Sequence, residues 1–119
     1  MKGIKFIQSN LLTAIKQDFG LICANLPYIP HERIDSLSVS QYEPRLALDG
    51  GVDGLDLIKA LLHQCNQLVP AGGLILLEID PSQGESAMEL AKEIMSSTHV
   101  NVFYDYAGKA RILQIEKIC

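Results

Sequence analysis

Runs of basic residues are missing from this sequence. Its ten lysines and arginines are scattered among fourteen acidic residues, for a net charge of −4. That balance speaks against a nucleic-acid partner, because phosphate binding draws on a basic stripe. No apolar stretch is long enough to span a bilayer, so no membrane partner is expected. The opening MKGIKFIQSN lacks the apolar core of a secretory signal. Cys23, Cys65 and Cys119 form no C-x-x-C pair, and His31, His63 and His99 stand alone. Such spacing predicts reduced thiols in a cytoplasmic protein, with neither a disulfide frame nor a metal site.

What is present is a chain of 119 residues, 48% apolar and 20% charged. These values suit one globular domain over residues 1–119 with a single core. Residues 3–8 (GIKFIQ) read as a short strand, and Asn10 as the cap of a short helix through Leu11, Leu12, Ala14 and Ile15. The run 19–24 (FGLICA) has the length and continuous apolar character of a strand buried on both faces. Pro27 and Pro30 exclude helix and central strand directly after it. Residues 31–54 form a long connection carrying the cluster Asp49-Gly50-Gly51-Val52-Asp53-Gly54. Leu55, Ile58, Leu62, Cys65 and Leu68 then recur at helical spacing. After the break at Pro70-Ala71-Gly72-Gly73, residues 74–79 (LILLEI) form a second buried strand. Pro81 and Ser82 open a helix with Ala87, Leu90, Ala91, Ile94 and Met95 on one face. Residues 100–104 and 112–116 are two last strands joined by a hairpin-length loop. Strands alternating with helices predict an α/β sheet, parallel at its centre, with one antiparallel strand from the closing hairpin.

Ligands of open α/β sheets bind beyond the carboxyl ends of the strands. Asn25-Leu26-Pro27-Tyr28 falls at such an end, directly after FGLICA. The Asn25 side-chain oxygen and the Leu26 backbone carbonyl are two acceptors for one NH₂ group, and Pro27 and Tyr28 are flat surfaces to pack against a planar amide. Holding an amide nitrogen in line with an electrophile is a large source of rate, up to roughly 7–11 kcal/mol in the best model systems. An amide nitrogen is a poor nucleophile, so polarising its N–H bonds as charge develops is the relevant help. A plain proline turn after a strand explains the same four residues about as well.

The tetrapeptide resembles the Asn-Pro-Pro-Tyr motif of S-adenosylmethionine-dependent amino-methyltransferases. Residues 42–55 (YEPRLALDGGVDGL), 70–84 (PAGGLILLEIDPSQG) and 105–111 (DYAGKAR) extend the likeness, in order, to the HemK/PrmC protein-(glutamine-N5) methyltransferases. The resemblance implies the C-terminal part of a class I, Rossmann-like methyltransferase fold. It also implies methyl transfer to the glutamine amide in the Gly-Gly-Gln loop of peptide-chain release factors. By the same likeness Asn25, Leu26, Pro27 and Tyr28 hold the substrate amide, Asn25 and Tyr28 being the catalytic pair. Asn10, Leu11 and Asn25 border the cofactor, and Glu43-Pro44 shapes the pocket wall. Leu26 replaces the commoner first proline, a small change, since its backbone carbonyl carries the role and Pro27 still favours extended geometry before it. Asn10 stands where the family has an acidic residue, which weakens a bond to the adenine amino group but keeps an acceptor.

The family's Gly-rich cofactor loop and ribose-binding carboxylate have no counterpart among these residues. Gly50-Gly51-Val52-Asp53-Gly54 follows no strand and is not G-x-G-x-x-G. The resemblance therefore implies an incomplete S-adenosylmethionine site and a chain inactive by itself. Two alternatives are a non-catalytic release-factor-binding module and a fragment of a nucleic-acid amino-methyltransferase. In the family's strand order, 3-2-1-4-5-7-6, FGLICA would be an open edge. Either residues 3–8 close onto that edge or the protein forms a homodimer along it.

Overall fold

The computed structural model describes residues 3–26 and 55–118. Expectations for Pro27, Tyr28, Glu43, Pro44 and the 49–54 cluster lie outside the described residues. Strands β1 (Leu21–Ala24), β2 (Leu74–Glu78), β3 (Thr98–Tyr104) and β4 (Ala110–Lys117) form one sheet. Helices α1 (Asp56–Leu68) and α2 (Gly84–Ile94) accompany it, and a 3-10 turn at Pro81–Gln83 leads into α2. The strand order is β1-β2-β4-β3. β1 and β2 are parallel, and β4 runs antiparallel to both of its neighbours. This is the order of the last four strands of the class I methyltransferase sheet.

Side-chain alternation places the core on one face. In β2, Ile75 and Leu77 are buried while Leu74, Leu76 and Glu78 are half-buried; in β4, Leu113 and Ile115 are buried and Gln114 is not. Against them pack Ile58, Leu61, Leu62 and Cys65 of α1 and Ala87 and Ala91 of α2. The small alanines let α2 lie close to the sheet. The approach to α2 is a capping box: Asp80 accepts from the Ser82 N–H, and Gln83 Oε1 accepts from the Asp80 N–H at 3.0 Å.

The turn after α1 ties four segments together. Val69 N–H ends the helix by donating to the Cys65 carbonyl at 3.0 Å. Gly72 has a φ of +86°, and its N–H reaches the Lys117 carbonyl at the end of β4 at 2.7 Å. The Gly73 carbonyl accepts from the Lys117 N–H at 2.9 Å, and the Leu74 N–H donates to the Gly20 carbonyl, just before β1, at 2.9 Å. A Cβ on Gly73 would stand 2.3 Å from Val69 Cγ1 and 2.9 Å from the Pro70 carbonyl oxygen.

The beginning of the chain departs from its sequence reading. Residues 3–8 form no strand, and Ile4, Phe6 and Ile7 are 51%, 95% and 56% exposed. Their alternation suits a strand, but a strand also needs a partner, and these residues pair with none of the four. Residues 10–14 are a turn rather than a helix. Leu11 has a φ of +54°, outside the helical region. Ser9, not Asn10, supplies the capping oxygen, accepting from the Ala14 N–H at 2.9 Å. β1 is left at one edge of the sheet and β3 at the other.

The β3–β4 hairpin is organised by Asp105. Its carboxylate accepts from Arg111 Nε at 2.8 Å and from the N–H groups of Lys109 at 3.0 Å and Ala107 at 2.9 Å. The hydrogen bond from Arg111 foremost, then that from Lys109, holds this carboxyl below its ordinary range.

Two tests follow from these contacts. Gly73→Ala should destabilise the protein by about 1–3 kcal/mol, because a backbone oxygen blocks the methyl; thermal unfolding measures it. A lowered folded pKa at Asp105 means that its stabilisation is complete above the ordinary carboxylate range and disappears as pH falls through the lowered value. Amide shifts of Ala107 and Lys109 should therefore titrate together in acid below the ordinary carboxylate range, and Asp105→Ala should abolish that transition.

Candidate active site at the carboxyl edge of the sheet

The parallel register sets Ala24 beside Leu77. Just past this pair, Asn25 follows the last residue of β1 and Glu78 is the last residue of β2, both at the carboxyl edge, on strands about 4.8 Å apart. A cavity of about 370 Å³ opens there, lined by Cys23, Ala24, Asn25, Leu76, Glu78 and Ile112. Ile112 arrives because β4 pairs antiparallel, placing it opposite Glu78. Asn25 is exposed, and Leu26 is half-buried against the core. The cavity therefore has mainly apolar walls with two polar side chains, a carboxamide and a carboxylate. Such a lining suits a ligand with one polar head on a short apolar stem.

Asn10 and Leu11 do not line this cavity. Their turn is fastened to α1 instead: Gln64 Oε1 accepts from the Leu12 N–H at 2.9 Å, and Gln64 Nε2 donates to Thr13 Oγ1 at 3.2 Å. Asn10 itself is exposed, with its backbone carbonyl accepting from Thr13. Pro27 and Tyr28 lie outside the described residues. Glu78 was not singled out from the sequence, where it reads as one residue of an apolar run. The available signal was a carboxylate closing a buried strand at the end where ligands bind.

Two of the cysteines have opposite surroundings. Cys65 is fully buried in α1, and burial pushes its thiol up to about 11. Cys23 is exposed on the cavity wall. Among the described residues no group of His, Cys, Asp and Glu could hold a metal ion. None of their helices is long and apolar enough to cross a membrane.

A mixed sheet with strand order β1-β2-β4-β3, parallel between β1 and β2 and antiparallel at β4, is that of the C-terminal part of the class I methyltransferase fold. Known structures agree: the Mtq2–Trm112 complex of E. cuniculi, described as responsible for methylation of the eRF1 translation termination factor, superposes with a TM-score of 0.62 at 19% identity. The match covers 98% of this chain and 63% of that one. No family model matches the sequence. Individual relatives do. The release factor glutamine methyltransferase of Moorella thermoacetica is 43% identical over 110 residues, covering 91% of this chain and 39% of the relative. That of Rhodopirellula baltica is 33% identical over 118 residues, covering 96% and 40%. That of Borreliella burgdorferi is 34% identical over 113 residues, covering 94% and 39%. The chain belongs to the release factor glutamine methyltransferase family, and it spans about two fifths of the length of these curated relatives.

A thiol reagent at mildly alkaline pH should label Cys23 quickly and leave Cys65 unmodified until the protein unfolds. Mass spectrometry of the digested protein distinguishes the two.

Proposed function

We propose that this chain carries the substrate-amide half of a cytoplasmic protein-glutamine N5-methyltransferase. Its substrate is the Gly-Gly-Gln loop of a peptide-chain release factor, and its methyl donor is S-adenosylmethionine. The observation that supports this reading most is the position of Asn25, one residue past the parallel strand β1 and on the wall of a cavity at the carboxyl edge of the sheet. There its side-chain oxygen accepts one N–H of the glutamine amide and the Leu26 carbonyl accepts the other. Pro27 and Tyr28 pack against the flat face of the amide, with Tyr28 flanking the reacting nitrogen. Two acceptors aimed at one nitrogen fix its direction and stabilise the positive charge that grows on it as a bond to carbon forms.

The donor fits these residues only in part. Asn25 is placed to border it. Asn10 and Leu11 sit on a turn held by Gln64, and no Gly-rich turn follows a parallel strand among the described residues. Backbone N–H groups of such a turn are what a cofactor of this size requires. Methyl transfer therefore needs groups beyond those described, and the isolated 119-residue chain binds its protein substrate without turning it over. The open edge of β1, where Leu21 is 55% exposed, is the natural seam for a homodimer.

Calorimetry with a Gly-Gly-Gln peptide should show binding that Asn25→Ala weakens about tenfold, the loss of one hydrogen bond to the ligand. S-adenosylmethionine should bind no more tightly than millimolar, and a methyl-transfer assay on a release factor should show no turnover. Micromolar cofactor binding, with turnover abolished by Asn25→Ala, would mean that the chain assembles a complete donor site. Peptide binding indifferent to Asn25 would refute the amide-holding role.

A further inference from the structure

A glutamine carried by a protein arrives with a body far too large for a cavity of about 370 Å³, so that body has to rest on the surface around the opening. One structure projects from the same edge. β3 runs antiparallel to β4, and β4 antiparallel to β2, so β3 points the same way as β2 and its hairpin turn emerges at the carboxyl edge. The hairpin also borders the cavity wall: Phe103 pairs with Ile112, and residues directly opposite in a ladder share a face of the sheet. From there outward it carries aromatic surface that the fold leaves uncovered. Phe103 is 50% exposed, Tyr104 65%, and Tyr106 completely. Covering such rings is a main source of binding energy at protein interfaces, where Tyr is enriched. The turn that bears Tyr106 is stiff. Besides the three bonds to the Asp105 carboxylate, the Asp105 N–H donates to the Lys109 carbonyl at 2.8 Å and the Gly108 N–H to the Asp105 carbonyl at 2.9 Å, with Gly108 at a φ of +79°. None of these bonds involves the Tyr106 ring, and a ring held out on an ordered turn loses little entropy when a partner covers it.

We propose that the β3–β4 hairpin is a second docking surface for the protein substrate, with Phe103 extending the cavity wall and Tyr106 seating against the body of the release factor outside its Gly-Gly-Gln loop. The proposal rests on the reading of the cavity as the glutamine-binding site. Its partner is a folded protein that presents apolar surface beside the loop carrying the glutamine. The hairpin supplies a selection that the cavity cannot make. Glutamine side chains occur on most proteins, and a pocket that holds only the amide and its short stem treats them alike. Contact with the body beyond the loop is what separates one protein's glutamine from another's.

The test uses the 119-residue chain with two ligands, an intact release factor and a short Gly-Gly-Gln-loop peptide. Binding is measured by calorimetry for the unaltered protein, Tyr106→Ala, Asn25→Ala and Phe6→Ala. Phe6 is an exposed aromatic residue outside the hairpin and controls for the loss of any surface ring. Tyr106→Ala should weaken binding of the release factor by about tenfold or more and leave peptide binding within about twofold. Its thermal unfolding should match that of the unaltered protein, because the ring is fully exposed. Phe6→Ala should change neither affinity, and Asn25→Ala should weaken both. Release-factor binding that survives Tyr106→Ala overturns the proposal. So does an equal loss for peptide and release factor, which would make Tyr106 part of the cavity, or the same loss in Phe6→Ala, which would mean indiscriminate adhesion. In each of these cases Asn25-dependent peptide binding leaves the functional reading standing. Absence of peptide binding, or peptide binding independent of Asn25, overturns the functional reading and this proposal with it.

Discussion

The five-residue turn between α1 and β2, Val69 to Gly73, holds the rest of the structure in place. Its backbone groups bond to the end of β4 through Lys117 and to the start of β1 through Gly20, while the helix it terminates stops at Val69. Gly73 is there because no side chain fits between Val69 and the Pro70 carbonyl. Moving this turn would shift β1 against β2. Register in a parallel pair is stiff wherever one face is buried, since a slip of one residue would carry Ile75 and Leu77 out of the core. The turn lies at the amino end of β2 and the site at its carboxyl end, so the clamp at one end fixes which residues meet at the other.

That alignment brings Asn25 and Glu78 to the wall of one cavity. Neither residue belongs to the packed core, and their rigidity comes from the residues just before them: Ile22 and Ala24 in β1, Ile75 and Leu77 in β2. Chemistry placed one step beyond a buried strand keeps the precision of the strand while staying open to a ligand. β4 contributes from the third side, because only an antiparallel strand brings its early residue Ile112 to that same edge.

Much of the sheet was readable in the sequence because burial leaves a mark. FGLICA is apolar throughout and LILLEI is broken only by Glu78, and β1 and β2 lie within them, but the burial on both faces that such runs predict is not there: Leu21 and Cys23 of β1 are exposed, and Leu74, Leu76 and Glu78 of β2 are only half-buried. The helical spacing from Ile58 to Cys65 became the buried stripe of α1. Residues 3–8 misled for a complementary reason: alternation in one segment cannot reveal whether a neighbouring strand exists to pair with it. The helix read at Asn10 failed because Leu11 adopts a left-handed backbone, a local preference that apolar spacing does not encode. Asn25 was found through a motif. Glu78 escaped notice because its place on the cavity wall depends on how β2 is flanked by β1 and β4, a property of the sheet rather than of composition.

Of the described strands, the last in sequence has an inner place in the sheet. β4 lies between β2 and β3, so the other three described strands are finished before the one that joins them exists. While the ribosome is still building the chain, β2 and β3 can each be complete and remain strangers, their facing edges unsatisfied. A chain interrupted shortly before Ala110 would keep both helices and lose the strand that joins the two sides of the sheet. Arrival of the eight residues of β4 therefore pairs the facing edges of β2 and β3 and turns an adhesive intermediate into a continuous sheet.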